Sequence, residues 1–293
     1  MVSKPSVGER LFDGFNLIFL AVCSFVFLYP IWYVIVSSFS DAHAIAAGQV
    51  TFWPVEFNLK AYKLVFSDSM VLDAYGNTLI YVLGGTAINL LLTTLGAYPL
   101  SRPGLGGKRF FMAFIVFTMF FSGGLIPGYL NIRDLGLYDT VWALLLPGAV
   151  SAFNLIVMRT FFQSTIPESL VESGKIDGAN DFRILWSLVL PLSLPVMAVM
   201  TLFYAVSHWN SWFTAMIYLQ DRSLYPLQLI LREILIQSTA QNLTTNVAQD
   251  ELSQVSEAIK YATIVVATVP ILVVYPFLQK YFVKGVMIGA VKE

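Results

Sequence analysis

The sequence predicts an all-α polytopic membrane protein with six transmembrane helices. Three observations carry this: the composition, the spacing of the charges, and the side on which the basic residues gather. Of 293 residues, 57% are hydrophobic and 12% charged, against roughly half and about a quarter in an ordinary soluble domain. Lys and Arg number 17 and Asp and Glu 18, a formal net charge of -1, so no basic excess exists to hold a nucleic acid. An aromatic content of 15% and a mean hydropathy of +0.72 are the opposite of the disordered signature. Cys23, the single cysteine, has no partner for an internal disulfide and sits among apolar residues.

Six stretches of at least 19 residues contain no Asp, Glu, Lys or Arg: 14–40, 74–101, 110–132, 140–158, 184–220 and 261–279. A bilayer core about 30 Å thick takes roughly 20 apolar helical residues, so each stretch is one predicted span, the fifth placed at 184–217. The first could also be a cleavable signal peptide, because Lys4 and Arg10 precede it and Ala42-His43-Ala44 has cleavage-site spacing. Its length, about twice the usual 7–15-residue signal core, favours a retained helix. The stretches 42–55 and 234–249 are too short or too rich in Gln, Asn and Thr to span.

An even number of spans puts both termini on one side, together with the loops 102–109 and 159–183. That side collects Lys4, Arg10, Arg102, Lys108, Arg109, Arg159, Lys175, Arg183, Lys280, Lys284 and Lys292, 11 of the 17 basic residues. The positive-inside tendency makes it cytoplasmic. The segments 41–73 and 221–258 then lie on the periplasmic side, and Asp250 to Ile259 reads as an amphipathic helix entering the last span. The whole chain, 1–293, reads as one transmembrane domain in the cytoplasmic membrane.

No GxxxxGK[ST], HExxH or GxSxG occurs, and only His43 and His208 could act as imidazole bases or metal ligands. The chain is expected to be non-catalytic, with no metal and no cofactor of its own. Ion-coupled pumps generally place an ionisable group inside the membrane. All charges here lie outside the six runs, so the energy for any transport is expected from another subunit.

The most specific signal is the connection 159–183, which leads into Leu188-Val-Leu-Pro-Leu-Ser-Leu-Pro195. Pro167 suits a first helical turn, with Glu168 at the positive end of the dipole. Leu170, Val171, Gly174 and Ile176 give a short helix one compact apolar side. Asp177-Gly178 stops it, since glycine accepts the left-handed conformation, and Asn180 or Asp181 caps the next helix. Such a helix could transmit a push from a cytoplasmic partner, or simply anchor the loop in lipid headgroups.

The spacing Glu172-x-x-x-x-Asp177-Gly178, followed after nine residues by Leu188-x-Leu190-Pro191, resembles the EAA-loop signature of permease subunits of bacterial binding-protein-dependent ABC importers. Ser173-Gly174 replaces two alanines and Leu188 an isoleucine. Phe121-Ser-Gly-Gly-Leu-Ile-Pro127, Asn154 to Phe162, Trp209-Asn-Ser-Trp212 and Tyr281 to Ala290 resemble the branch importing complex oligosaccharides, which includes lipo-oligosaccharide, pectin-fragment and alginate systems. Length and sequence are most similar to the smaller permease of the alginate type. The resemblance implies a type I importer permease fold and coupling to an ATPase subunit through Glu172, Ser173, Gly174, Asp177, Gly178, Ala179 and Pro191. It also implies a second permease forming a heterodimer, an ATPase homodimer or heterodimer holding ATP and Mg, an extracytoplasmic solute-binding protein, and an oligosaccharide substrate. A stand-alone channel or facilitator is the rival reading.

Polar and aromatic groups within the runs include Asn89, Ser151, Asn154, Ser193, Tyr204, His208, Trp209 and Asn210. A sugar path needs hydrogen-bonding groups and flat aromatic faces, and Asn154, Tyr204, His208, Trp209 and Asn210 are its candidates. Asn and Ser also serve as glue between membrane helices, the competing reading for each.

Overall fold

The computed structural model describes residues 6–67, 69–243, 257–274 and 276, and all regular structure among them is helical. The chain divides into two compact units, residues 1–69 with 233–268 and residues 70–232 with 269–293.

In the first unit, α1 (Val7–Ser38) starts at a capping box in which Ser6 and Glu9 each bond the other's backbone N–H, satisfying two amides that a helix start leaves open. Its apolar window has a mean hydropathy of 2.2 and none of it is buried. A helix apolar on every side belongs against lipid or other apolar helices. Asp41 caps α2 (Ala42–Ala46), and α3 (Lys60–Ser67) follows. The intervening segment folds back on the end of α1: Asp41 N donates to Val55 O and Asn58 N to Phe39 O, both at 3.0 Å. Trp32 Nε1 donates to Phe52 O at 2.9 Å and Phe39 stacks on Phe57 at 5.6 Å. The helix Glu257–Val274 meets α1 through the edge-to-face pair Tyr33 and Tyr261, 5.9 Å apart.

The second unit holds α4 (Ser69–Ser101), α5 (Lys108–Phe120), α6 (Leu125–Asp134), α7 (Trp142–Leu145), α8 (Ala152–Thr165) and α9 (Glu168–Ile176). Then come α10 (Asp181–Ile184), a π-helical turn (Leu185–Val189), α11 (Leu190–Leu192), α12 (Leu194–Trp209) and α13 (Phe213–Tyr218). A short turn, Arg222–Leu224, precedes α14 (Leu227–Leu243). Met158, Phe162, Ile184, Val189 and Met200 form a fully enclosed cluster between α8, α10 and α12. In a bilayer such a cluster is held by close packing rather than by exclusion of water.

The runs of uncharged residues are less regular than the sequence predicts. Three helices among the described residues are long and apolar enough to cross a membrane, Gly8–Ser38, Ser69–Ser101 and Glu257–Val274, and two bent pairs bring the number to five. The run 110–132 bends by 115° between α5 and α6, where Phe121 to Gly124 leave helical geometry and Gly124 takes φ +87°. The run 184–217 bends by 86° between α11 and α12. There Pro191 and Pro195 remove two helical donors about one turn apart. The run 140–158 is not one helix: α7 stops before Pro147, Gly148 adopts φ +74°, and α8 begins at Ala152. α8 also continues to Thr165, well into the predicted 159–183 loop, leaving Ile166 and Pro167 as its link to α9. Most of the amphipathic helix expected at 250–259, the motif from Tyr281 to Ala290 and the tail from Lys284 lie outside the described residues.

Candidate functional site

α9 has the boundaries that Pro167 and Asp177-Gly178 encode. Gly178 takes φ +81°, and the last turn closes through Gly178 N to Lys175 O at 3.0 Å and Ala179 N to Gly174 O at 2.9 Å. Asn180 Oδ1 accepts from Arg183 N at 2.9 Å, starting α10 at once. The helix is therefore fixed at both ends by very short connections. Glu172, Ser173, Asp177 and Gly178 face outward, Gly174 and Ala179 are half-buried, and Val171 is buried. Ser173 Oγ is turned back onto Ser169 O at 2.8 Å. Ile176, read from sequence as part of the inward side, is 86% exposed. It lies five residues from Val171, about 140° around the helix, so the two cannot share a face.

A glycine lets α9 lie close to the helix that follows. A Cβ at Gly174 would stand 3.2 Å from Leu188 Cδ1 and 3.3 Å from Ile184 Cγ1, so alanine is a tight fit and anything larger is excluded. Between α9 and the end of α4 runs a groove of about 640 Å³, lined by Tyr98, Arg102, Leu105, Glu168, Glu172 and Phe182 among others. Lys175 and Asp181 pair at 3.2 Å at its margin, both more than half exposed, so the pair adds little to stability.

The polar residues of the later runs are drawn into a seam between α4, α12 and the break before α8. Asn89 Nδ2 donates to Ala149 O at 2.9 Å, and Asn89 Oδ1 lies 2.9 Å from His208 Nε2. Because the amide nitrogen is committed to a carbonyl, the Asn89 oxygen must accept, and His208 Nε2 carries the proton. Gly85 makes room for this imidazole, since a Cβ there would overlap the ring. One turn away, Tyr204 Oη is 2.7 Å from Thr93 Oγ1 and accepts from Ser151 N at 3.3 Å. Asn89 and Tyr204 thus satisfy backbone groups of Ala149 and Ser151 that the interrupted helix leaves open, the condition for irregular backbone at membrane depth. Asn154 is buried in the first turn of α8, its N–H donating to Ser151 Oγ at 3.4 Å. Trp209 is buried with its ring edge-on to Tyr75 at 6.3 Å. Asn210 is exposed and closes the end of α12 by donating to Val206 O at 2.9 Å.

Two arginines that the sequence reading counted only as cytoplasmic charges join α4 to α8. Arg102 Nη2 donates to Phe162 O at 2.9 Å, and Arg159 Nε donates to Leu100 O at 3.0 Å. Each guanidinium thus caps the carboxyl end of the other helix. A hydrogen bond from a charged donor contributes about 1.5–3 kcal/mol, and a cation at a helix C-terminus adds about 0.3–1 kcal/mol. The available signal was an arginine directly at the end of an uncharged run, where a partner is required if the helix continues past it. On the opposite end of the unit, Asn77 Nδ2, Tyr81 Oη and Thr78 Oγ1 tie α4 to the backbone of residues 223–227. Beside them the backbone and hydroxyl of Ser223 hold the exposed Asp221 carboxyl below its ordinary range.

Among the described residues no three His, Cys, Asp or Glu side chains gather where they could hold a metal ion. An apolar helical chain with a short, rigidly bounded surface helix has the construction of a transporter's membrane subunit. Residues 2–288 match the family described as binding-protein-dependent transport system inner membrane component, and the chain belongs to it. It is 44% identical over 288 residues to the polygalacturonan/rhamnogalacturonan transport system permease protein YtcP of Bacillus subtilis, covering 97% of this chain and 99% of that one. It is 42% identical over 283 residues to Protein LplC of the same organism, covering 97% and 95%. Among solved structures it matches a chain of a bacterial ABC transporter involved in the import of the acidic polysaccharide alginate. That match has a TM-score of 0.87 and 37% identity, covering 96% of this chain and all of that one. The chain is accordingly a membrane-spanning ABC permease for carbohydrate, with the type I importer permease fold.

Proposed function

We propose that the chain is one of two different permeases of an ATP-driven importer of acidic oligosaccharides such as pectin or alginate fragments, and that it takes its power stroke through α9. Six spans with both termini in the cytoplasm complete the arrangement, the fourth made from α7, the break at Pro147-Gly148 and α8. The observation that carries the reading is the seating of α9: exposed Glu172, Ser173, Asp177 and Gly178 on one side, and Gly174 pressed against Ile184 and Leu188 on the other. A push on the outer face from an ATPase subunit reaches the helix leading to α12 without a flexible intermediary. Pro191 then lies at the elbow where that push changes direction. Moving a two-state permease from 1:99 to 99:1 takes about 5.5 kcal/mol of differential binding, which the nucleotide-driven partner must supply. ATP and Mg belong to that partner.

The names of the relatives support an acidic sugar, since polygalacturonan and alginate are both polyuronates. For the path, Tyr204, His208, Trp209, Asn210 and Asn154 are the candidates, and the Nδ1 of His208, whose Nε2 is committed to Asn89 Oδ1, can offer an acceptor to a sugar hydroxyl. Purification of the protein from its native membranes tests the assembly. A second permease and an ATPase should co-purify, and the binding protein loaded with uronate oligosaccharides should stimulate ATP hydrolysis. A protein that comes out alone and mediates flux in ATP-free vesicles would overturn the proposal in favour of a facilitator.

A further inference from the structure

We propose that Arg102 and Arg159 are positioning residues whose reciprocal capping binds the ends of α4 and α8 nearest α9 into one body, so that displacement of α9 is delivered to α12. The inference rests on the coupling reading of α9 and supplies the fixed frame against which the moving part works.

α9 follows α8 after only Ile166 and Pro167, and Ile166 is 3% exposed while Phe162 is fully buried. Any tilt of α9 therefore pulls on the end of α8. Arg102 holds that end at Phe162 O, and Arg159, about one turn earlier, holds the end of α4 at Leu100 O. The two bonds run in opposite directions between the same pair of helices, so neither helix can slide or rotate without straining both. Two further contacts fix Arg102 itself: its guanidinium lies 5.6 Å from the centre of the Tyr98 ring, and its Nε donates to Ser101 Oγ at 3.0 Å. Lys108 Nζ reaches Arg102 O at 3.3 Å and ties the 102–108 loop to the same point.

The other neighbour of α9 is built in the opposite way. Beyond Ile184 and Leu188 the chain passes through a π-helical turn and the 86° bend at Ser193, where the Ser193 hydroxyl is buried without a hydrogen-bond partner. The bend there follows from two prolines and one residue, Ser193, outside helical conformation, the construction of a joint rather than of a clamp. With one side clamped and the other jointed, movement of α9 goes to the jointed side.

The test is a double-mutant cycle on the assembled complex with Arg102→Met, Arg159→Met and the pair. Each single variant should assemble in the wild-type stoichiometry and keep basal ATP hydrolysis, while binding-protein-stimulated hydrolysis and uptake fall about tenfold. The double variant should lose no more than either single one, because both break the same link. Arg159→Lys, which keeps a cation and a donor, should restore much of the stimulation. Additive losses, unchanged stimulation, or a parallel fall of assembly and basal hydrolysis in every variant would overturn the proposal. If the wild-type complex itself shows no stimulated hydrolysis, the coupling reading fails instead. The clamp is then judged by thermal unfolding of the same four proteins, where non-additive losses sustain it and additive losses end it.

Discussion

At Gly178 the backbone sits at φ +81° and its N–H is bonded to Lys175 O. Proline can satisfy neither demand. Gly178→Pro is expected to leave membrane insertion intact while abolishing ATP-driven uptake; retained uptake would remove α9 from the coupling role. Ser193 offers the opposite kind of test, since its hydroxyl is enclosed and unbonded. An unmade buried hydrogen bond costs about 1–3 kcal/mol, so Ser193→Ala should raise the thermal midpoint of the purified protein. A lower midpoint would mean that the hydroxyl has a partner after all. Asn89→Leu should do the reverse, stranding both Ala149 O and the His208 N–H, and differential scanning should show a fall of several degrees. At this scale the sequence was legible where a residue has few alternatives: the left-handed glycine at 178 was readable directly, and the cap of the next helix was narrowed to Asn180 or Asp181, of which the structure uses Asn180. The bonds of Asn89 to Ala149 O and of Tyr204 to Ser151 N were not readable, because they go to backbone groups of a helix break that composition does not disclose.

Among elements, the ends of α9 were written in Pro167 and Asp177-Gly178, whereas its buried face was misjudged at Ile176. Counting 100° per residue places Leu170, Val171 and Gly174 together and sends Ile176 outward. The bends were harder to read. An uncharged run states that a segment can lie in lipid but not that it is straight, so 110–132 and 184–217 looked like single helices. In 140–158 the signal was present as Pro147-Gly148, a dipeptide that punctuates helices, and the absence of charge concealed it. The close seating of α9 makes a prediction of its own. Gly174→Leu should displace α9 from Ile184 and Leu188, abolish stimulated ATP hydrolysis and leave the complex assembled, while Gly174→Ala should retain most activity. Equal activity in both would show that the close approach is dispensable.

For the whole molecule, sidedness is the property on which everything else depends, and the proposed six-span arrangement would gather 11 of the 17 basic residues on one side. The helices do not by themselves orient the chain, since length and apolarity are the same from either face. A labelling experiment decides it. With Cys23 replaced by Ala, Ile176→Cys should react with a membrane-impermeant maleimide only in inside-out vesicles, and Asp134→Cys only in right-side-out ones. The same side for both would break the six-span arrangement. The exposed surface of α1 belongs to this scale too, because a helix with none of its apolar window buried belongs against lipid or further apolar helices.

The fit of His208 into the space left by Gly85 has a bearing on how such chains diverge. Neither position can drift by itself: a methyl group at 85 forces the ring out, and loss of the ring leaves Asn89 with an open acceptor. The two sites, far apart in the sequence, should therefore be inherited as a pair, with larger residues at 85 accompanied by smaller ones at 208 in any lineage that has changed either.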